Sequence, residues 1–144
     1  MKRLVVVVGL SVGLVTGGAP AAFAGTSQCQ DGEACVWQNF TYSASFRGMT
    51  LDAYDYNNIQ WEAGPLATFN ITRDSVSGVR SQGRNCYARF TDGVGHSGKA
   101  IDFRRVVDGR DYQDPNLSNG GGLGNWRSEN WDNRIASHWF FNCV

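Results

Sequence analysis

The feature that most constrains this chain is that it states one plan twice. Cys86 to Gly98 reads Cys-Tyr-Ala-Arg-Phe-Thr-Asp-Gly-Val-Gly-His-Ser-Gly. At an offset of 50 positions, Trp37, Phe40, Thr41, Phe46, Gly48 and Leu51 face Tyr87, Phe90, Thr91, His96, Gly98 and Ile101. Each copy is an aromatic strand, a polar turn, a bulky residue two before a glycine, then an apolar strand. A second match lies 59 positions apart, between Arg73-Asp-Ser-Val-Ser-Gly78 and Asp132-Asn-Arg-Ile-Ala-Ser137. A fixed internal repeat marks one supersecondary unit used more than once. The first copy spans about residues 29–84 and the second about 85–144, within one domain over 25–144.

The units are β-structure. Cys35 to Phe40 reads as a strand, and Met49 to Tyr54 alternates apolar and polar residues with period two. Cys86 to Phe90, Lys99 to Val107 and Ile135 to Cys143 are the strands of the second copy. Asn57-Asn58, Gly64-Pro65, Ser81-Gln82-Gly83 and Asp108-Gly109 are turn signals. Ile59 and Trp61 fold back as a cover, and Trp126 to Arg134 forms one short helical turn. No stretch holds apolar residues at helical spacing for three turns, so the fold class is an all-β sandwich. Five Trp, five Tyr and eight Phe supply its bulk.

The chain begins Met-Lys-Arg, runs apolar from Leu4 to Leu10, and reaches Ala22-Phe23-Ala24. That order is a secretory signal peptide over residues 1–24, too short in its apolar part to span a membrane. Cleavage after Ala24 leaves about 120 residues, enough for one core. Lys2 and Arg3 leave with the signal, so the near-balanced charge of 13 basic and 13 acidic side chains turns slightly acidic. Nothing then draws the protein to nucleic acid or an anionic membrane, and a monomer outside the cell is expected.

All four cysteines follow the signal, an even count in an exported chain, which argues for two disulfides. Four cysteines allow three pairings. Cys29 and Cys35 flank the turn-forming Gln30-Asp31-Gly32-Glu33-Ala34 and can meet locally, which leaves Cys86 for Cys143. Their spacing matches no zinc pattern.

Catalysis requires a positioned acid, base or nucleophile. Only His96 and His138 are neutral-pH bases. His96 stands where Phe46 stands in the repeat, which makes it a packing or turn residue. There is no Gly-x-Ser-x-Gly elbow and no His-Glu-x-x-His. The glycine-rich run Asn119 to Gly124 lacks a strand-then-helix frame for phosphate. The chain is read as a non-enzyme.

An aromatic strand, a loop, bulky-x-Gly and a polar Asp/Asn-x-x-Ser segment together resemble the βγ-crystallin Greek key. With the pair Cys29-Gln-Asp-Gly-Glu-Ala-Cys35-Val-Trp37, the chain is similar to secreted actinobacterial peptidase inhibitors of the Streptomyces metalloproteinase inhibitor type. The resemblance covers Cys29 to Cys143. It implies a sandwich of two Greek keys and an extracellular protease, a metalloprotease first, as partner. A rigid loop would block that protease, because a loop held in its bound shape loses little entropy on docking. The nearest counterpart of the family's protease-facing bond is Cys86-Tyr87, although no second cysteine follows within a few residues.

The resemblance also implies calcium segments of oxygen ligands. Asp74 and Ser77 in the first copy, and Asp132 and Asn133 in the second, are their degenerate remains. Arg73 and Ala136 each stand where an oxygen belongs. Weak calcium binding or none is expected, and no cofactor is required. The alternative function is a non-inhibitory binding or structural module for calcium or cell-wall carbohydrate, with Trp61 and Trp126 as exposed rings.

Overall fold

A computed structural model describes residues 25–66, 69, 71 and 75–144. The signal peptide, Arg73 and Asp74 lie outside the described residues. Within these residues seven strands form two antiparallel sheets: β1 Ala34–Asn39, β2 Ser43–Met49, β3 Gly78–Ser81, β4 Tyr87–Thr91, β5 Ala100–Phe103, β6 Gln113–Asp114 and β7 Ser137–Phe141. The first sheet runs β2-β1-β3-β6 and the second β5-β4-β7. Among the described residues helical geometry is confined to three-residue 3-10 turns.

The halves exchange pieces. Strand β6 comes from the second half and pairs with β3 in the first sheet, Val79 opposite Asp114. Ala53 comes from the first half and bridges His138 of β7 in the second. Their amides bond reciprocally, at 2.9 and 3.0 Å. Each half is therefore a Greek key whose third element completes the sheet of its neighbour. The chain cannot be cut between them without opening both sheets.

Strand register fixes how the halves correspond, and it corrects the 50-residue offset. Val36 faces Arg47 and Val79, while Phe90 faces Ile101 and His138. Val36 and Phe90 thus hold the same place, 54 residues apart. The hairpin corners agree. Left-handed backbone occurs at Tyr42 and Ala44 in one half and at His96 and Gly98 in the other. His96 corresponds to Tyr42 and not to Phe46. At the far end the 59-residue offset holds, since Gly78 faces Trp37 as Ser137 faces Thr91. The two offsets differ because the connections between the strands differ in length.

The core lies between the sheets. Val36, Met49 and Val79 from the first meet Ala88, Phe90, Ile101 and Phe103 from the second, closed by Tyr56, Trp61, Ile71, Leu117 and Trp131. Trp61 is therefore not an exposed ring. The alternation Met49, Leu51, Ala53 does not make a strand, because β2 stops at Met49. Leu51 is 78 % exposed, and only Ala53 is paired. Trp126 to Arg134 forms turns and no helix. Lys99 to Val107 contains a four-residue strand and then a 3-10 turn at Val106–Asp108.

Strand β1 is buried on both faces. Its inward residues Ala34 and Val36 join the core. Its outward residues Cys35 and Trp37 form a second cluster with Cys29 and Phe46, covered by Tyr42 and Ala63. Disulfides join Cys29 to Cys35 and Cys86 to Cys143, as the sequence implies. The first pins the lead-in over the outer face of sheet one. The second ties the start of β4 to the chain end.

Candidate functional site

The calcium-type residues among those described come together, but across the halves. Asp132 and Asn133 of the second segment share an open cleft with Ser75 and Ser77 of the first, beside Gln38 and Asn39. The cleft measures about 510 Å³. Backbone pairing sets the geometry: the Asn133 amide donates to the Val76 carbonyl at 2.9 Å, and the Ser77 amide to the Trp37 carbonyl at 2.9 Å. Asn133 Nδ2 donates to Asp132 Oδ2 at 3.0 Å, whereas Asp132 Oδ1 is buried without a partner. A buried carboxylate oxygen without a partner, on a residue that lines the cleft, fits a cation. A calcium ion takes six to eight oxygens, and Asp132 is the single carboxylate lining this cleft among the described residues. The residues present fit a weak calcium shell, with Asp132 as its anionic member.

Cys86 and Tyr87 sit elsewhere. Tyr87 opens β4, the middle strand of sheet two, and pairs with Phe141. Its hydroxyl accepts from Arg104 Nη1 at 3.2 Å. The loop before it is held at both sides, by the Val106 amide on the Gly83 carbonyl and the Val144 amide on the Asn85 carbonyl, each at 3.0 Å. A protease cleft takes an extended strand whose backbone is free to pair. The Cys86-Tyr87 bond enters a strand already paired on the Phe141 side.

Among the described residues neither histidine ring meets a serine or cysteine nucleophile. His138 is wholly buried, and Nδ1 meets the Tyr56 hydroxyl at 3.1 Å. Burial, with the nearby His96, pushes its imidazole down to about 3, against a weaker opposite pull from the Leu51 backbone. Burial holds the Tyr56 phenol well above its ordinary range. The adjacent Ser137 hydroxyl is 2.6 Å from Thr91 Oγ1 and donates to the Gly93 carbonyl at 2.7 Å, so it ties a loop. The His96 ring lies between Tyr54 and Trp139, with centroids at 4.5 and 4.7 Å. Cys29, Glu33 and Cys35 are close together, but their two sulfurs are bonded to each other and are not thiolate ligands.

Solved structures similar to this chain include three βγ-crystallin domains. A βγ-crystallin domain studied for the evolution of the eye-lens fold is 18 % identical over 77 % of this chain and 86 % of that one, with a TM-score of 0.54. A βγ-crystallin from Ciona intestinalis is 14 % identical over 76 % and 100 %, with a TM-score of 0.51. One from an archaeon is 14 % identical over 78 % and 100 %, with a TM-score of 0.50. The fold is the βγ-crystallin fold. No family profile matches the sequence, and no curated protein matches it. At these identities the likeness speaks for architecture alone. It gives no support to the metalloproteinase-inhibitor resemblance in particular.

On this βγ-crystallin body the two outer faces differ. The outer face of sheet one is covered by the Cys29–Cys35 segment and Ala63. In sheet two the outward residues of β4, Tyr87 and Arg89, are half-buried and lie beside Trp139 and Phe141 of β7. The Arg89 guanidinium is 4.5 Å from the Phe141 ring centre and 5.4 Å from that of Trp139. Its fork donates to both oxygens of Asp102 on β5, at 2.5 and 2.7 Å. The sequence does carry a signal for this face: Tyr87/Arg89 and Trp139/Phe141 are spaced by two. Reading each aromatic singly as packing hides it.

Proposed function

We propose that the chain is an exported, non-catalytic βγ-crystallin module that works by holding an extracellular ligand. The observation that carries this reading is the contrast between the two outer faces. A sandwich that only had to be stable would gain by covering both, as it covers the first. The second keeps half-exposed rings and a planar ion pair in a fixed array. The engagement of both histidines in packing supports a module without catalysis. The signal peptide and two disulfides support a place outside the cell, where such bridges persist.

The ligand class is calcium or cell-wall carbohydrate. The test is sedimentation of the mature chain with washed bacterial cell walls, alongside calorimetry with calcium. Saturable binding in either experiment is the expected result. A chain that neither sediments nor takes up calcium, and that inhibits a thermolysin-like protease at micromolar concentration, would instead be an inhibitor.

A further inference from the structure

We propose that the outer face of sheet two is a stacking surface for the pyranose rings of a neutral polysaccharide. This rests on the binding-module reading and names its site and ligand. Beside the Arg89 array lies a depression of about 360 Å³ whose lining includes Asp102, Asn125 and Trp126. Trp126 is 40 % exposed, and the Lys99 ammonium lies 4.4 Å from its ring centre. The depression thus joins an indole, a carboxylate, an amide and a guanidinium. A sugar ring presents two chemistries at once. Its axial C–H bonds carry slight positive charge and rest on the negative face of an aromatic ring. Its equatorial hydroxyls need donors and acceptors in the ring plane, which the Arg89–Asp102 fork and Asn125 supply.

Beyond Arg89 the array continues through Trp139 and Phe141 to Tyr87, whose ring meets Phe141 edge-on at 5.7 Å. Several rings in sequence suit a polymer better than a single sugar. Charge selects which polymer. The four cations that lie over the rings of the array are already matched: Arg89 by Asp102, Lys99 by Glu129, Arg104 by Asp111 and Arg105 by Asp108. A face with its positive charges neutralised internally offers little to a polyanion and suits an uncharged chain.

The probes are cellohexaose, chitohexaose and mannohexaose, with heparin as the polyanion, followed by tryptophan fluorescence at 0.05 and 0.5 M NaCl. At least one neutral hexaose is expected to bind with little change between the two salts. Trp139→Ala and Phe141→Ala are expected to weaken it about tenfold each, while Trp139→Phe retains most of it. Near-UV circular dichroism confirms that each variant is folded. Hexaose binding unchanged in both alanine variants overturns the assignment of the face. So does salt-sensitive binding to heparin alone, or a dimer in sedimentation velocity that Trp139→Ala dissolves. Absence of hexaose binding with retained sedimentation on cell walls overturns the stacking surface and leaves the module reading standing. Loss of wall and calcium binding as well removes both.

Discussion

The Tyr56 hydroxyl and His138 Nδ1 meet 3.1 Å apart inside the sandwich. One comes from the connection that the first half lends to the second sheet, the other from that sheet's edge strand β7. The pair is held in the region where the halves exchange pieces, and both residues are fully buried.

That burial predicts acid sensitivity. His138 is held at about 3 in the folded chain against 6.5 when exposed. The unfolded chain therefore binds a proton that the folded chain refuses. The contribution is complete above pH 6.5 and is lost as pH falls from 6.5 toward 3. At pH 5 the loss amounts to about 2 kcal/mol. Paired carboxylates such as Asp108 and Glu129, which Arg105 and Lys99 hold below the usual range, add their own loss only at lower pH. Asp114, raised by burial, works the other way there. Urea unfolding at pH 7.5, 6 and 5 should show the decline in wild type. His138→Phe should flatten it over the same window.

The corresponding hairpin corners predict opposite effects for two small substitutions. Gly98 has φ +83°, and an added Cβ would run into the Asp92 carboxylate. That carboxylate accepts from the Lys99 amide at 2.8 Å and from Arg134 Nη2 at 2.7 Å, so it is not free to retreat. Gly98→Ala should cost about 2 kcal/mol or more. Ala44 sits in the matching place with φ 64°, where alanine is strained. Ala44→Gly should be neutral or stabilise by up to about 1 kcal/mol. Chemical denaturation of the two variants checks the pair.

The bridges are unequal. Cys86 and Cys143 are 57 residues apart, and Cys29 and Cys35 only 6. Loop-closure entropy assigns about 4 kcal/mol to the long link and about 2.5 kcal/mol to the short one. Cys86→Ser with Cys143→Ser should therefore lower stability more than Cys29→Ser with Cys35→Ser. The short bridge also helps to cover Trp37, so its loss should redden tryptophan emission. Fluorescence-monitored denaturation reads both effects.

Strands β1, β4, β5 and β7 were legible because period two and turn residues are local signals, whereas β2 was not, since Ser43–Met49 runs through the polar turn and the bulky-x-Gly step, and neither was the two-residue β6. The doubled plan was legible too. The correspondence of the halves was not, because aromatic residues do not recur at equivalent places in the two. Trp37 lines up with Thr91, and the corner Tyr42-Ser-Ala44 with His96-Ser-Gly98, so the shared feature is backbone conformation and not side-chain class. Leu51 misled for a related reason. Alternation predicts burial only where a neighbouring strand exists, and the segment after Met49 is paired at Ala53 alone among residues 50–54. Trp61 looked exposed because it lies in a long connection, yet its amide bonds the Phe69 carbonyl and its ring fills the core. The crossing of the calcium-type segments could not be read from either segment alone.

That crossing supports a last prediction. Read along the chain, each segment lacks an oxygen, at Arg73 and at Ala136. Read in space, the cleft takes Asp132 and Asn133 from one segment and Ser77 from the other. Ala136 is not among its lining residues, and its amide is spent on the Thr91 carbonyl at 2.8 Å. One carboxylate with neutral oxygens places the dissociation constant for calcium on the order of 1 mM. Ten millimolar calcium should then stabilise the fold by about 1.4 kcal/mol. Asp132→Ala should abolish that gain, and Ala136→Ser should leave it unchanged. Thermal melts of the three proteins with calcium and with chelator decide the matter. A gain that grows with Ala136→Ser and survives Asp132→Ala would mean that each segment binds within its own half.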